Sequence, residues 1–375
     1  MNEANVERLA ATLCRLRGAA LKVGQMLSFN DADVLPPAVR TLMERVRNGA
    51  DWMPAWQLEE SLRRELGDRW REHVEAFDEE PVAAASIGQV HRATLVDGRR
   101  VAIKVQYPGV SDSIVSDLWS MRQLVTYTGV VPPGLYLDRV LEVAREELLE
   151  ECDYEREQEK TGGQKERNPG RARRRAAALL EGAWPCSATP HVLTTEWMAG
   201  LPIDKAAAEG AIEPAERDRI GERLLWLTLS ELFKFRFMQT DPNWSNFLYE
   251  PRTRQLSMID FGACREYDAP FAASYLRLAQ REAILHHSRE LGFLTGEEGR
   301  TMLDAHTRAA VLVGRPFADG EQPYDFGKQT ISKRVTGDVQ TMLRERLTPP
   351  RKEIYSLHRR LNACFRACDE RVRYS

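Results

Sequence analysis

Residues 6–27 place Val6, Leu9, Leu13, Leu16, Ala20, Val23 and Leu27 at steps of three and four, which predicts one amphipathic helix. Residues 31–37 break it. A second helical stretch is expected over 38–47, and a third over 58–66 closes at Gly67. The period then changes. From Phe77 onward a proline, a run of alanines, the stretch 90–96, the Asp97-Gly98 turn and the stretch 100–106 predict two strands joined as a hairpin. Helical patterning returns over 140–160, where the chain is strongly acidic and reads mostly as a solvated helix face, while 160–175, rich in Gly, Arg and Lys, reads as an exposed loop. Residues 191–196 form a short β-prone run ending near Gly200. Leu224, Leu225, Leu227, Leu229, Leu232 and Phe233 crowd 220–237 and imply a buried helix. Beyond Tyr267 the pattern is mostly helical, and no internal repeat is visible.

Composition narrows the function classes. A chain of 375 residues with 43% apolar content can bury a large core, enough for one two-lobed domain or two ordinary ones. A formal net charge of −3 gives no global field for a polyanion, so nucleic acid is not an expected partner. The cysteines, Cys14, Cys152, Cys186, Cys264, Cys364 and Cys368, form no CxxC pair. Neither a disulfide framework nor a zinc site is suggested, and a reducing compartment is expected. No apolar run reaches the roughly 18 residues of a spanning helix, and Met1 opens no secretory signal, so the chain is expected to be soluble.

The sharpest chemical signal is an ordered set: Val101-Ala102-Ile103-Lys104, then Asp241 with Asn246, then Asp260-Phe261-Gly262. Each piece matches part of the protein-kinase signature, and each alone is an ordinary strand or turn. Their joint occurrence in order, on a strand, a loop after a buried helix and a strand end, carries the reading. In that scheme Lys104 faces the phosphates of ATP, Asn246 and Asp260 hold a divalent cation, and Asp241 orients the nucleophile.

The departures carry information too. Where a kinase has its Gly-rich loop, this chain has Ala83-Ala84-Ala85-Ser86-Ile87-Gly88-Gln89-Val90, and alanine disfavours the positive φ that lets backbone approach a phosphate. Gln239-Thr240 stand where His-Arg would precede the catalytic Asp, and Asn243 replaces the lysine two residues after it. No Ala-Pro-Glu follows Gly262, so the part of a protein kinase that docks a peptide is expected to be absent.

Lys22-Val23-Gly24-Gln25, the stretch 83–90, Glu151-Cys152-Asp153, Asp241-Pro242-Asn243-Trp244-Ser245-Asn246 and Asp260-Phe261-Gly262 together resemble the KxGQ, Ala-rich loop, ExD, catalytic-loop and DFG motifs of the UbiB (aarF-domain) family of atypical kinase-like ATPases. The resemblance runs from about residue 6 to about residue 371, and is strongest to the eukaryotic mitochondrial members that support coenzyme Q biosynthesis. It implies an α+β, atypical protein-kinase-like two-lobed fold: a helical extension over 1–76 with KxGQ, an N-lobe over 77–198 with the Ala-rich loop, Lys104 and ExD, and a mostly helical C-lobe over 199–375. Carried over residue by residue, it pairs Glu157 with Lys104 and puts Glu151 and Asp153 near the phosphates. Lys22 and Gln25 come from a preface folded over the cleft, whereas the residues alone read them as polar positions between apolar rows. The backbone of Glu196 and Met198 would meet adenine, and Ala83, Ala84, Ala85 and Ser86 would lie over the nucleotide.

The same resemblance implies ATP and Mg²⁺ as cofactors and ATP hydrolysis or phosphoryl transfer as the reaction. Its implied partners are coenzyme Q lipid intermediates, a membrane surface and the coenzyme Q biosynthetic complex, with a homodimer allowed. It implies a location at the matrix face of the inner mitochondrial membrane. One stretch departs: 162–187 is Arg/Ala-rich where the family has an apolar strand, so a strand there is expected to be either shortened or misaligned. Its Arg171, Arg173, Arg174 and Arg175 suit either an anionic lipid surface or, more simply, a solvated loop. The rival readings are an ordinary protein Ser/Thr kinase, which the missing Ala-Pro-Glu disfavours, and a nucleotide-binding scaffold without turnover.

Overall fold

A computed structural model describes residues 18–20, 22, 52–128, 136–161, 181–182, 185–241, 243–280, 283–318 and 331–369. Residues 18–20 and Lys22 are helical, as the apolar spacing predicts, while the helix expected over 38–47 lies outside the described residues. The next helix, α1 (Ala55–Leu66), ends at Gly67, where the sequence places its stop.

Strands β1 (Val74–Phe77), β2 (Ala83–Ala84), β3 (Gly88–Leu95) and β4 (Arg100–Gln106) follow. The β3–β4 hairpin turns at Asp97-Gly98: Gly98 N donates to Leu95 O at 2.8 Å, and the Asp97 carboxylate accepts from Arg99 N at 3.0 Å. Along β4 the side chains alternate. Val101, Ile103 and Val105 are buried with Leu58 and Leu62 of α1, Trp70 and Val192. Lys104 therefore stands on the opposite face. The last preface helix is thus part of the core of the first lobe, and β1 begins ahead of the boundary at 76/77.

Helix α2 (Val110–Thr128) leads to α3 (Leu137–Glu151) and α4 (Tyr154–Thr161). The acidic run predicted as one helix is two. Asp153 makes the break, its carboxylate accepting from Arg156 N at 2.9 Å as an N-cap for the second piece. Two-residue β5 (Glu181–Gly182) pairs in parallel with a strand of the second lobe, and β6 (Pro185–Ala188) pairs with β7 (Val192–Glu196). Strand β6 lies at the end of the stretch 162–187, with a register shift between Pro185 and Ser187, and residues 162–180 and 183–184 of that stretch lie outside the described residues. The first sheet runs β1-β3-β4-β7-β6 with β2 added on β3, antiparallel throughout.

After β7 the chain crosses through 197–200 to β8 (Leu201–Pro202), α5 (Ile203–Ala208) and α6 (Pro214–Ser230), whose last turn continues as a π-helix, Glu231–Phe235. Strand β9 (Phe237–Gln239) precedes the loop holding Asp241. The hairpin of β10 (Phe247–Glu250) and β11 (Gln255–Met258) precedes Asp260, and β12 (Cys264–Glu266) pairs back on β9. Helices α7 (Ala269–Ala279), α8 (Ile284–Glu290), α9 (Arg300–Val313), α10 (Arg315–Ala318), α11 (Ile331–Glu345) and α12 (Lys352–Asp369) complete a mainly helical second lobe.

One apolar cluster ties the lobes together. It joins Ala19 and Ala20 of the preface, Ile87 of the Ala-rich turn, Val140, Ala144 and Leu148 of α3, and Ile354, Leu357 and Leu361 of α12. Among the described residues no helix is long and apolar enough to cross a membrane.

Candidate functional site

The cleft between the lobes collects most of the residues singled out from the sequence. Lys104 Nζ, on the inward face of β4, lies 3.4 Å from Glu157 Oε2 and 3.6 Å from Asp260 Oδ2, and 4.9 Å from the centroid of the buried Tyr154 ring. Glu157 also accepts from Phe261 N at 3.2 Å, so one buried carboxylate holds both the lysine and the start of Phe261-Gly262. Burial opposes the charge on Lys104, but Asp260 and Glu157 outweigh it and raise its pKa well above the ordinary lysine value. Burial, then Asp260, raises Glu157, with Lys104 opposing. Asp260 moves the other way: burial penalises its charge, and Lys104 overcomes that and lowers its pKa.

Asp241 and Asn246 sit on one turn. The pairing of β9 with β12, with Thr240 N and Oγ1 both donating to Ala263 O, fixes this loop beside the segment carrying Asp260. Asn246 Nδ2 donates to Asp241 Oδ2 at 2.8 Å, and Asn243 N donates to Asp241 Oδ1 at 3.3 Å. A carboxylate can only accept, so the Asn246 amide presents its nitrogen there and leaves its carbonyl oxygen for a cation. Asp260 Oδ1 accepts from Gly262 N at 2.9 Å, which orients its carboxylate. An amide oxygen and a carboxylate are hard donors of the kind Mg²⁺ takes, and the donor set fits that ion.

A second cluster adjoins the first. Lys22 Nζ lies 2.8 Å from Glu147 Oε2 and pairs also with Glu151. Arg359 Nη2 of α12 donates to Glu147 Oε2 at 2.8 Å, and Arg265 Nη2 lies 3.8 Å from Glu147 Oε1. Burial disfavours the charge on Lys22, yet Glu147 and Glu151 raise its pKa. Burial would raise Glu147, but Arg359 and Lys22 hold it at about 2. Glu151 is raised, by burial first and then by Asp241 and Asp260, against the pull of Lys22. Next to Glu151, the half-buried Cys152 has its thiol pushed up to about 12 by burial and by Glu151, and its carbonyl accepts from Gln106 Nε2 at 3.0 Å.

The Ala-rich segment is a hairpin over this cluster. Ala83 and Ala84 pair with Val90 and Gln89, Ala85 N donates to Gly88 O at 2.8 Å, and Ser86 Oγ donates to Glu151 Oε2 at 3.5 Å. A Cβ at Gly88 would stand 2.4 Å from Val105 O, so only glycine fits between the strands there. The preface helix lies on the turn: a Cβ at Gly18 would meet Ser86 O at 3.3 Å. Other predicted residues stand apart. Asp153 is exposed and caps α4, and Glu196 is exposed at the end of β7. Met198 is half-buried in the crossing between lobes. Gln25 lies outside the described residues, as do Arg171, Arg173, Arg174 and Arg175. Sequence reasoning missed Glu147, Arg265 and Arg359. The available signal was an acid on the apolar stripe Val140, Ala144, Leu148 and an arginine on the stripe Ile354, Tyr355, Leu361.

With this geometry in place, the model of the ABC1 atypical kinase-like domain matches residues 45–289, more than half of the chain. The chain belongs to the ABC1 atypical kinase-like family. Among ABC1 relatives it is 42% identical over 391 residues to the zebrafish (Danio rerio) protein named "Atypical kinase COQ8B, mitochondrial", covering 100% of this chain and 60% of that protein. It is 40% identical over 386 residues to "Atypical kinase COQ8, mitochondrial" of Saccharomyces cerevisiae, covering 98% and 74%. The chain thus spans about half to three quarters of the length of the curated ABC1 relatives it matches. A solved complex of Rv3197 with erythromycin from Mycobacterium tuberculosis superposes with a TM-score of 0.60 at 25% identity, covering 98% of this chain and 92% of that one. The fold is the two-lobed α+β fold of atypical kinases.

Proposed function

We propose that this chain is an Mg²⁺-dependent atypical kinase or ATPase that supports coenzyme Q biosynthesis. The observation that carries the reading is the convergence of Lys104, Glu157 and Asp260 within 3.4 and 3.6 Å, beside an Asp241 already tied to Asn246 at 2.8 Å. Lys104, held cationic and kept straight by Glu157, would face the phosphates. Asn246 and Asp260 would hold the metal, which when bound neutralises charge on the phosphoryl oxygens. Asp241, with both carboxylate oxygens already oriented, would position an attacking water or hydroxyl and accept its proton. The hairpin 83–88 would roof the phosphates, and the backbone at Glu196 and Met198 would meet the base.

Lys22, Glu151 and the preface would fill the side where a protein kinase admits a peptide. This placement favours a small acceptor, water or a lipid-linked intermediate over a protein side chain. The mitochondrial names of the similar proteins support a mitochondrial site; the matrix face of the inner membrane, among the enzymes that build coenzyme Q, is what the family resemblance adds to that reading. The test is Mg-nucleotide binding and ATP turnover, with and without protein substrate and membrane-like vesicles. Lys104→Ala, Asp260→Asn and Asn246→Ala should each weaken binding or turnover. Normal nucleotide affinity and turnover in all three overturn the assignment. Turnover that requires a protein substrate restores the Ser/Thr kinase reading, and binding without turnover restores the scaffold.

A further inference from the structure

Lys22 has two carboxylate partners of unlike character. Glu147 is 5% exposed and enclosed by cations, with Arg359 on the same oxygen as Lys22 and Arg265 toward the other. Glu151, one turn further along α3, is 17% exposed and accepts from Ser86 of the roofing hairpin. If Lys22 needed only a counter-ion, Glu151 alone would serve. Burying a second ion pair beneath it is costly, and apolar side chains of the same volume would stabilise the fold at least as well. The buried pair therefore has a use beyond packing. Three remote segments meet at it: the preface, α3 and the C-terminal helix α12, with Glu147 and Arg359 separated by 212 positions.

We infer that Glu147, pinned by Arg359, is the permanent seat of Lys22, and that Glu151 is its exchangeable partner, free to turn toward the cation that arrives with the nucleotide. This rests on the nucleotide reading above and deepens it. Glu147 stays ionised because two cations share its oxygen, so Lys22 keeps its place when Glu151 leaves. Glu151 lies close enough to Asp241 and Asp260 for both to repel its charge, and an arriving cation relieves that repulsion. Glu147 and Arg359 are positioning residues: they touch no phosphate and act through Lys22. By this route the C-terminal helix becomes part of the nucleotide site, although no motif in it announces such a role.

The test uses the full chain with Glu147→Gln, Arg359→Met, Arg359→Lys and Glu151→Gln. The first readout needs no nucleotide: amidination of Lys22 followed by mass spectrometry, with the buried Lys104 as an internal control for general loosening. Glu147→Gln and Arg359→Met should speed labelling of Lys22 by about tenfold or more, as expected when a charged hydrogen bond is lost, with Lys104 unchanged. Arg359→Lys should restore slow labelling, and Glu151→Gln should leave it slow. The second readout is binding of a fluorescent ADP analogue across a Mg²⁺ titration. In Glu147→Gln Lys22 has Glu151 as its one remaining carboxylate partner among the described residues and competes with the cation for it, so the Mg²⁺ needed for half-saturation should rise by about fivefold or more. Unchanged labelling and Mg²⁺ requirement in Glu147→Gln, or release of Lys22 by Glu151→Gln instead, overturns the inference. Should Glu147→Gln not fold, the Arg359 pair and Glu151→Gln decide it by labelling. A wild-type chain that binds no Mg-nucleotide sinks the proposed function, while the labelling arms still test the seat.

Discussion

Replacing Glu157 by Gln is the smallest change that tests the lysine clamp. The glutamine keeps the volume of a side chain only 3% exposed and keeps an oxygen for Phe261 N, now at 3.2 Å, so packing and the start of Phe261-Gly262 are preserved. What disappears is the charge 3.4 Å from Lys104 Nζ. Lys104 is left with Asp260, at 3.6 Å, as its nearest carboxylate and draws on the side chain assigned to the metal. Loss of a hydrogen bond between charged groups is worth about 1.5–3 kcal/mol, or about 10- to 150-fold in Mg-nucleotide affinity. Stability should follow a different course. Burial and Asp260 already disfavour ionised Glu157, so a neutral amide relieves that cost and the melting temperature should hold or rise. The assay is a fluorescent-nucleotide titration with thermal melts of the same samples. Equal affinity in both proteins, or an affinity loss that merely tracks a falling melting temperature, refutes the argument.

Three further outcomes are expected. Burial raises Glu231 from its ordinary 4.5 to about 7, with Arg360 opposing, so the folded chain holds the extra proton and stability falls as pH rises from about 4.5 to about 7, by about 3 kcal/mol in all. Glu231→Gln should remove that slope in urea unfolding at pH 5 and pH 8, and parallel curves would contradict it. Gly88→Ala drives a Cβ to 2.4 Å from the Val105 carbonyl, a backbone atom that cannot swing aside, and should cost about 1–3 kcal/mol or more, read by denaturant melts. Ala84→Gly, on the exposed two-residue strand β2, should loosen the hairpin at a cost of about 0.5–1 kcal/mol and change the ratio of ATP to ADP affinity, measured by competition binding.

The parts of this molecule governed by local rules were readable in advance. Alternation along Val101, Ile103 and Val105 with an Asp97-Gly98 turn dictates a hairpin, and the same alternation decides that Lys104 faces the cleft. The Asp241 and Asn246 pair is local too, five positions apart on one turn. The acidic run was harder. Its charges suggest a solvated face, yet Glu147 and Glu157 are buried because cations from remote segments neutralise them. Period analysis sees an acid and cannot see its partner across 212 positions. Asp153 is the converse: the family resemblance groups it with Glu151, and in the structure it is exposed and its carboxylate starts α4. Arg359 was invisible for the same reason as Glu147, since a basic residue on a C-terminal helix ordinarily faces water.

The electrostatics around Cys152 bear on which covalent chemistry the cleft permits. A thiol held at about 12 is almost wholly un-ionised at neutral pH, so it offers almost no thiolate to an electrophile. The two lysines flanking it are locked in their protonated forms by the carboxylates they face and offer no free amine. Three side chains that elsewhere attack activated phosphates and acyl groups are thereby disarmed beside the place where an activated phosphate would lie. A bound phosphoryl donor would meet neither a thiolate nor a free amine in these three side chains. Affinity probes built on acrylamide or aldehyde warheads should find this cleft chemically silent.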